Sequence, residues 1–130
     1  MKYIILLGVL LVVFSGCIFD NNGDGDKYMT GLWAAVDSIM VNSATGGIIN
    51  VTCIAEVGDP CHEYEKSDIT YEQNDVYVRL YSKREKAAVC PDVISSIKVN
   101  LNIQAKDSSV YHLHFWQGDS ASLDTSVIMY

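Results

Sequence analysis

Between residues 97 and 103 every second side chain is large and apolar: Ile97, Val99, Leu101 and Ile103 alternate with Lys98, Asn100 and Asn102. On a helix these four would be scattered around the circumference. On a strand, where successive side chains point to opposite faces, they form one continuous apolar row. The same period of two recurs in Val76, Val78 and Leu80 against Tyr77, Arg79 and Tyr81, and in Tyr111, Leu113 and Phe115 against His112, His114 and Trp116. It also runs through Val51, Cys53, Ala55 and Val57 against Asn50, Thr52 and Glu56, with Ile54 the exception on the polar side. Each row is half apolar and half polar, so each strand has one face for a core and one for water.

Further strands are marked by Ile69 and Tyr71, by Ala35 to Val41 and by Ser126 to Tyr130. Turn residues fall between the strands: Thr45-Gly46-Gly47, Gly58-Asp59-Pro60, Gln73-Asn74-Asp75, Pro91-Asp92, Lys106-Asp107-Ser108 and Gly118-Asp119. No long segment carries a helical repeat. About seven short strands at this spacing predict an all-β domain over residues 28–130, an antiparallel immunoglobulin-like β-sandwich. A small open β-barrel is the alternative, because strand count alone does not decide closure.

Upstream of the strands the chain opens Met1-Lys2-Tyr3 and continues Ile4 to Phe14 with Gly8 the one interruption of the large apolar residues. One charge, a short apolar core and small residues after it are the parts of a secretory signal. The run is shorter than the roughly 20 apolar residues that a spanning helix needs. Phe14-Ser15-Gly16-Cys17 resembles the lipobox of prokaryotic membrane lipoproteins, with Phe14 where Leu is usual. The resemblance implies a signal peptide over residues 1–16, cleavage before Cys17 and a lipid on its thiol. It places the protein in the cell envelope, held to the membrane and facing outside the cytoplasm.

Asp20-x-Asn22-x-Asp24-Gly25 matches the first half of a calcium loop. The second half fails, with Gly31 where a bidentate Glu is required and Lys27 where an apolar residue packs. Gly, Asn and Asp also resist regular structure, and residues 17–27 read as a lipidated cysteine with a flexible tether. The formal charge of −7 becomes −8 once Lys2 leaves with the leader. That argues against nucleic acid or an anionic membrane surface as a partner. Lys83, Arg84 and Lys86, with Glu85 among them, read as a solvated strand end.

Three cysteines lie beyond Cys17, and outside the cytoplasm thiols tend to pair. Cys53 falls mid-strand in an apolar row, where a free thiol behaves as a small hydrophobe. Cys61 and Cys90 both sit at strand edges beside a proline, and they are the expected disulfide. Pro60-Cys61-His62-Glu63, then a hairpin, then Ala88-Val89-Cys90 resembles small secreted or lipid-anchored prokaryotic sandwich domains without assigned activity. The likeness covers roughly Cys53 to Gly118, implies two cysteines bracketing a strand pair, and carries no catalytic residues. The additional Cys53 departs from the two-cysteine pattern.

An enzyme is not expected. Cys61 and His62 are neighbours on a strand and point to opposite faces, a disulfide would remove the thiolate, and no serine-elbow, zinc-protease or phosphate-loop motif is present. No cofactor is expected. His112 and His114 share one strand face, and with further ligands two such imidazoles hold zinc or copper; His62 is a third imidazole whose position the sequence leaves open. The same pair equally fits the polar face of a half-buried strand, which is the preferred reading. The preferred function is an interaction or structural module of the envelope, meeting an envelope protein or polysaccharide, with a metal-binding envelope protein as the alternative. Tyr77, Tyr81 and Trp116, on the outer faces of their strands, are the expected interaction surface, since Tyr and Trp dominate binding hot spots. Trp33 is expected in the core or over the end of the sandwich.

Overall fold

The computed structural model describes residues 27–130. The proposed leader, Cys17 and the Asp20–Gly25 stretch lie outside the described residues. The described chain is all-β, with seven strands: β1 Tyr28–Thr45, β2 Ile48–Val57, β3 His62–Glu72, β4 Asp75–Glu85, β5 Ser95–Gln104, β6 Val110–Gly118 and β7 Ala121–Ile128. They form one mixed sheet, ordered β5-β2-β1-β4-β6-β7 with β3 on the other edge of β4, curled into a half-barrel. This is the expected all-β architecture of seven strands, and it fits a β-sandwich or the open-barrel alternative.

The curl comes from β1. Its first part, Tyr28 to Ala34, pairs with β4, and its remainder, Ala35 to Thr45, pairs with β2. Bulges between Val36 and Ser38 and between Val41 and Ser43 each add a residue. An added residue flips the parity of a strand and increases its twist. The inward positions therefore step from Ala34 and Val36 to Ile39 and then to Ala44. A third bulge between Met29 and Leu32 contains Gly31, whose φ of 66° is a conformation that glycine adopts without a Cβ clash.

All strand pairs are antiparallel except one. β6 runs parallel to β4, with Asp75 beside His112 and Val78 beside Phe115. The expected sandwich had no parallel pair. The reason is positional: β5 ends where β4 begins, so the short 105–109 connection delivers β6 to the start of β4, and it can only run alongside.

The core is the inner face of the curl. Ile49, Val51, Cys53 and Ala55 from β2, Val76, Val78 and Leu80 from β4, Val99, Leu101 and Ile103 from β5 and Tyr111, Leu113 and Phe115 from β6 are all buried. Each apolar row of the sequence lands inside. The outer face of the β1-β2-β5 half is closed by a polar ladder: Asn42 Nδ2 donates to Asn50 Oδ1 (2.7 Å) and Thr52 Oγ1 (2.8 Å), Asn50 Nδ2 to Asn102 Oδ1 (2.6 Å), and Thr52 Oγ1 to Asn100 Oδ1 (2.8 Å). Its side-chain groups are partnered with one another.

Candidate functional site

Period two sends Tyr77, Arg79 and Tyr81 of β4 and His112, His114 and Trp116 of β6 to the outer face. The registers then align them in rows. Thr70, Tyr77, His114 and Asp124 are successive cross-strand neighbours from β3 to β7. Asp68 lies beside Arg79, Trp116 beside Ser122, and Trp33 of β1 beside Tyr81. An open cleft of about 590 Å³ runs over this face, and Tyr77, Tyr81 and Trp116 all line it, with Arg79 and His114 among them. The three aromatics expected as a surface thus share one concavity.

The rings are held by other residues. His114 stacks on Tyr77 with centroids 4.8 Å apart and planes 21° from parallel. Trp33 and Trp116 meet edge to face at 5.1 Å, an arrangement that suits the ring quadrupoles. The Arg79 guanidinium lies over both indoles, 5.1 Å from Trp116 and 6.0 Å from Trp33. The Lys66 ammonium lies 5.1 Å over Tyr81. Trp33 is 58 % exposed and Tyr77 42 %, whereas Tyr81 and Trp116 are half-buried. Trp33 is thus on the outer face, and neither in the core nor over an end.

His114 is clamped from both sides. Its Nε2 is 2.8 Å from Asp75 Oδ1 and its Nδ1 is 2.8 Å from Asp124 Oδ1. The hydrogen bond to Asp75 raises its pKa above the usual 6.5; burial opposes this, and Asp124 adds to the rise. In the imidazolium form both nitrogens donate to the carboxylates. Asp124 is lowered below its usual range, by the Ser122 hydroxyl donating at 2.7 Å and by His114. Burial raises the Tyr77 phenol, and the charges of Glu72, Asp75 and Asp124 raise it further.

The geometry sets His62 apart from His112 and His114. His112 Nδ1 lies 2.9 Å from Ser126 Oγ, and both nitrogens of His114 face carboxylates on opposite sides of the ring, so Asp75 and Asp124 cannot meet at one ion. His62 is paired with Arg84, nine residues along β4 from the Asp75 that flanks His112, a distance of about 30 Å at 3.3 Å per residue. Among the described residues the one convergent group of metal-ligating atoms is Asp59, Cys61 and Cys90, and those two cysteines are bonded to each other.

The Cys61–Cys90 disulfide is present, with Cα atoms 6.1 Å apart. Cys53 is free and buried, and desolvation pushes its thiol up to about 11. Around the disulfide, Asp59 Oδ1 accepts from the Cys61 amide (2.9 Å) and Asp59 Oδ2 from Arg84 Nε (2.7 Å). Burial alone would raise the Asp59 pKa, but the Arg84 and Cys61 hydrogen bonds with the Arg84 and His62 charges lower it. His62 Nδ1 lies 3.0 Å from the buried Ser82 hydroxyl.

Two parts of the site escaped the sequence reading. His114 figures there only as a metal-ligand alternative and not as a ring stacked among the aromatics, and Trp33 and Arg79, which complete the aromatic group, are not placed in it. Alternation did carry a signal for Trp33: with Ala34 and Val36 facing inward, Trp33 must face out. No family model matches the chain, and no curated protein or solved structure is similar to it at a significant level.

Proposed function

We propose that the protein is a lipid-anchored, extracytoplasmic interaction module that presents the outer face of its β3-β4-β6-β7 half to an envelope protein or polysaccharide. The observation that carries this is the shared cleft: Tyr77, Tyr81 and Trp116 line one open concavity in which ring surface alternates with Asp68, Arg79, His114 and Ser122. Apolar surface with a few fixed polar groups is the usual composition of a binding site. The outer face of the β1-β2-β5 half carries the Asn42, Asn50, Thr52 and Asn102 ladder and none of these rings. The lipid on Cys17 is proposed from the Ser15-Gly16-Cys17 motif, and such tethering raises the effective concentration of neighbouring partners, so a weak interface suffices.

Partner capture from crosslinked envelopes tests the reading. Tyr81→Ala with Trp116→Ala weakens capture without unfolding the domain. His114 stacks within the cleft, so its removal weakens capture too, and His112→Ala is the variant that leaves capture intact. The metal reading predicts instead that the protein takes up one equivalent of zinc or copper at micromolar affinity and that His112→Ala abolishes the uptake. That result would replace the interaction reading.

A further inference from the structure

The β4–β5 connection, residues 86–94, turns large apolar side chains outward. Val89 is 100 % exposed, Ile94 69 % and Val93 57 %. The loop's backbone is pinned to the domain on both sides of Val89, so its side chain cannot turn inward. Cys90 is bridged to Cys61. Arg84 Nη2 donates to the Ala88 carbonyl (3.2 Å) and Arg84 Nη1 to that of Glu85 (3.1 Å), while Arg84 Nε is anchored on Asp59. The Ala88 amide closes a turn on the Glu85 carbonyl (3.2 Å), and the Val93 amide donates to that of Pro91 (2.9 Å). The disulfide and the buried-edge arginine therefore hold Val89 out in water.

The position of this loop indicates what covers it. The Lys86 amide donates to the Lys27 carbonyl at 2.9 Å, so the loop starts against the first described residue of the chain. Ten residue steps lead from Cys17, which bears the proposed lipidated thiol, to Lys27. Ten residues span at most about 36 Å however they are arranged. The end of the domain that bears Val89 is thus the end joined to the anchor, whereas the β1–β2 turn and Tyr130, whose amide donates to the Ala44 carbonyl, lie at the other end.

We propose that Val89, Val93 and Ile94 form a membrane-contact loop that seats the domain on the zwitterionic lipid surface holding its own anchor. This rests on the lipoprotein reading of Cys17. The charged groups nearby set the depth and the lipid type. Lys86 and Asp92 lie within the loop, Lys27 stands against its start, and Asp37 and Glu56 share a shallow pocket with Ile94. These groups keep the contact at the headgroup level, where apolar side chains reach the acyl boundary, and their mixed sign suits a zwitterionic surface over an anionic one. Seated this way, the domain has a fixed end toward the bilayer and its aromatic cleft on the side.

The test uses the full chain purified with its lipid and reconstituted into phosphatidylcholine vesicles. V89W and I94W place an indole on the loop, and I48W places one at the opposite end, where Ile48 is also exposed. Difference emission against the wild type removes Trp33 and Trp116. The expected result is co-flotation of every variant with the vesicles, and V89W and I94W indoles that are blue-shifted and quenched severalfold more by brominated phosphatidylcholine than that of I48W. Co-flotation with loop indoles no better quenched than the I48W indole overturns the loop proposal and leaves the anchor standing. Failure of the wild type to float, with Cys17 unmodified by mass, overturns both.

Discussion

The Nε2 atom of His114 lies 2.8 Å from Oδ1 of Asp75, across the one parallel strand pair of the fold. Asp124 holds the other ring nitrogen at the same distance. The stacked Tyr77 ring therefore rests on an imidazole that can neither rotate nor tilt without breaking a charge-assisted bond.

The first prediction concerns titration. His114 has a raised pKa in the fold, so its contribution is complete below the usual 6.5 and is lost as pH rises through the raised value. Asp124 is lowered, so its contribution is complete above 3.8 and is lost as pH falls through the lowered value. The stability difference between wild type and His114→Gln is therefore largest between those limits and shrinks above pH 6.5. Urea unfolding across pH checks this, and NMR titration of His114 shows its pKa falling in Asp75→Asn.

A second prediction concerns the disulfide. Cys61 and Cys90 are separated by 29 residues, for which chain entropy gives about 3–4 kcal/mol of stabilisation. Cys61→Ser with Cys90→Ser loses a comparable amount by urea unfolding. Peptide mapping without reduction shows these two residues joined and Cys53 free.

Cys53 supplies a third. Its thiol is buried in β2 with a pKa of about 11, and the thiolate is the reactive form. Alkylation of the native protein at pH 8 is therefore negligible at Cys53 and becomes rapid in urea. Fast native labelling would show that the sheet opens.

A fourth separates the two faces of β6. Phe115 is fully buried while its neighbour Trp116 lines the cleft. Phe115→Ala costs about 3–5 kcal/mol of stability as a core truncation. Arg79→Ala removes its cation–π contacts with Trp33 and Trp116, worth about 0.5–1 kcal/mol each, and its main effect is weaker partner capture.

Much of this was legible in the sequence, and for one reason. Alternation reports which face a residue takes, and it puts Val76, Val78, Leu80, Leu113 and Phe115 inside and Tyr77, Tyr81 and Trp116 outside. The same logic left Cys53 in the core and Cys61 and Cys90 to pair. Alternation says nothing about which strands are neighbours. His114 and Asp75 are brought together by a parallel pairing that local pattern does not encode, and His114 and Asp124 by register. The bulges of β1 were hidden too, because an added residue appears in the sequence only as a broken pattern around Asp37 and Asn42.

The central claim is that the aromatic cleft is the binding face, and site-directed photocrosslinking in native envelopes tests it most directly. A benzophenone side chain at Thr70, which lines the cleft, should give a discrete crosslinked product that Tyr81→Ala with Trp116→Ala abolishes. The same probe at Lys98, on the outer face of β5, should give none. Equal crosslinking from both positions, or a Thr70 product that survives the aromatic double variant, would contradict the account.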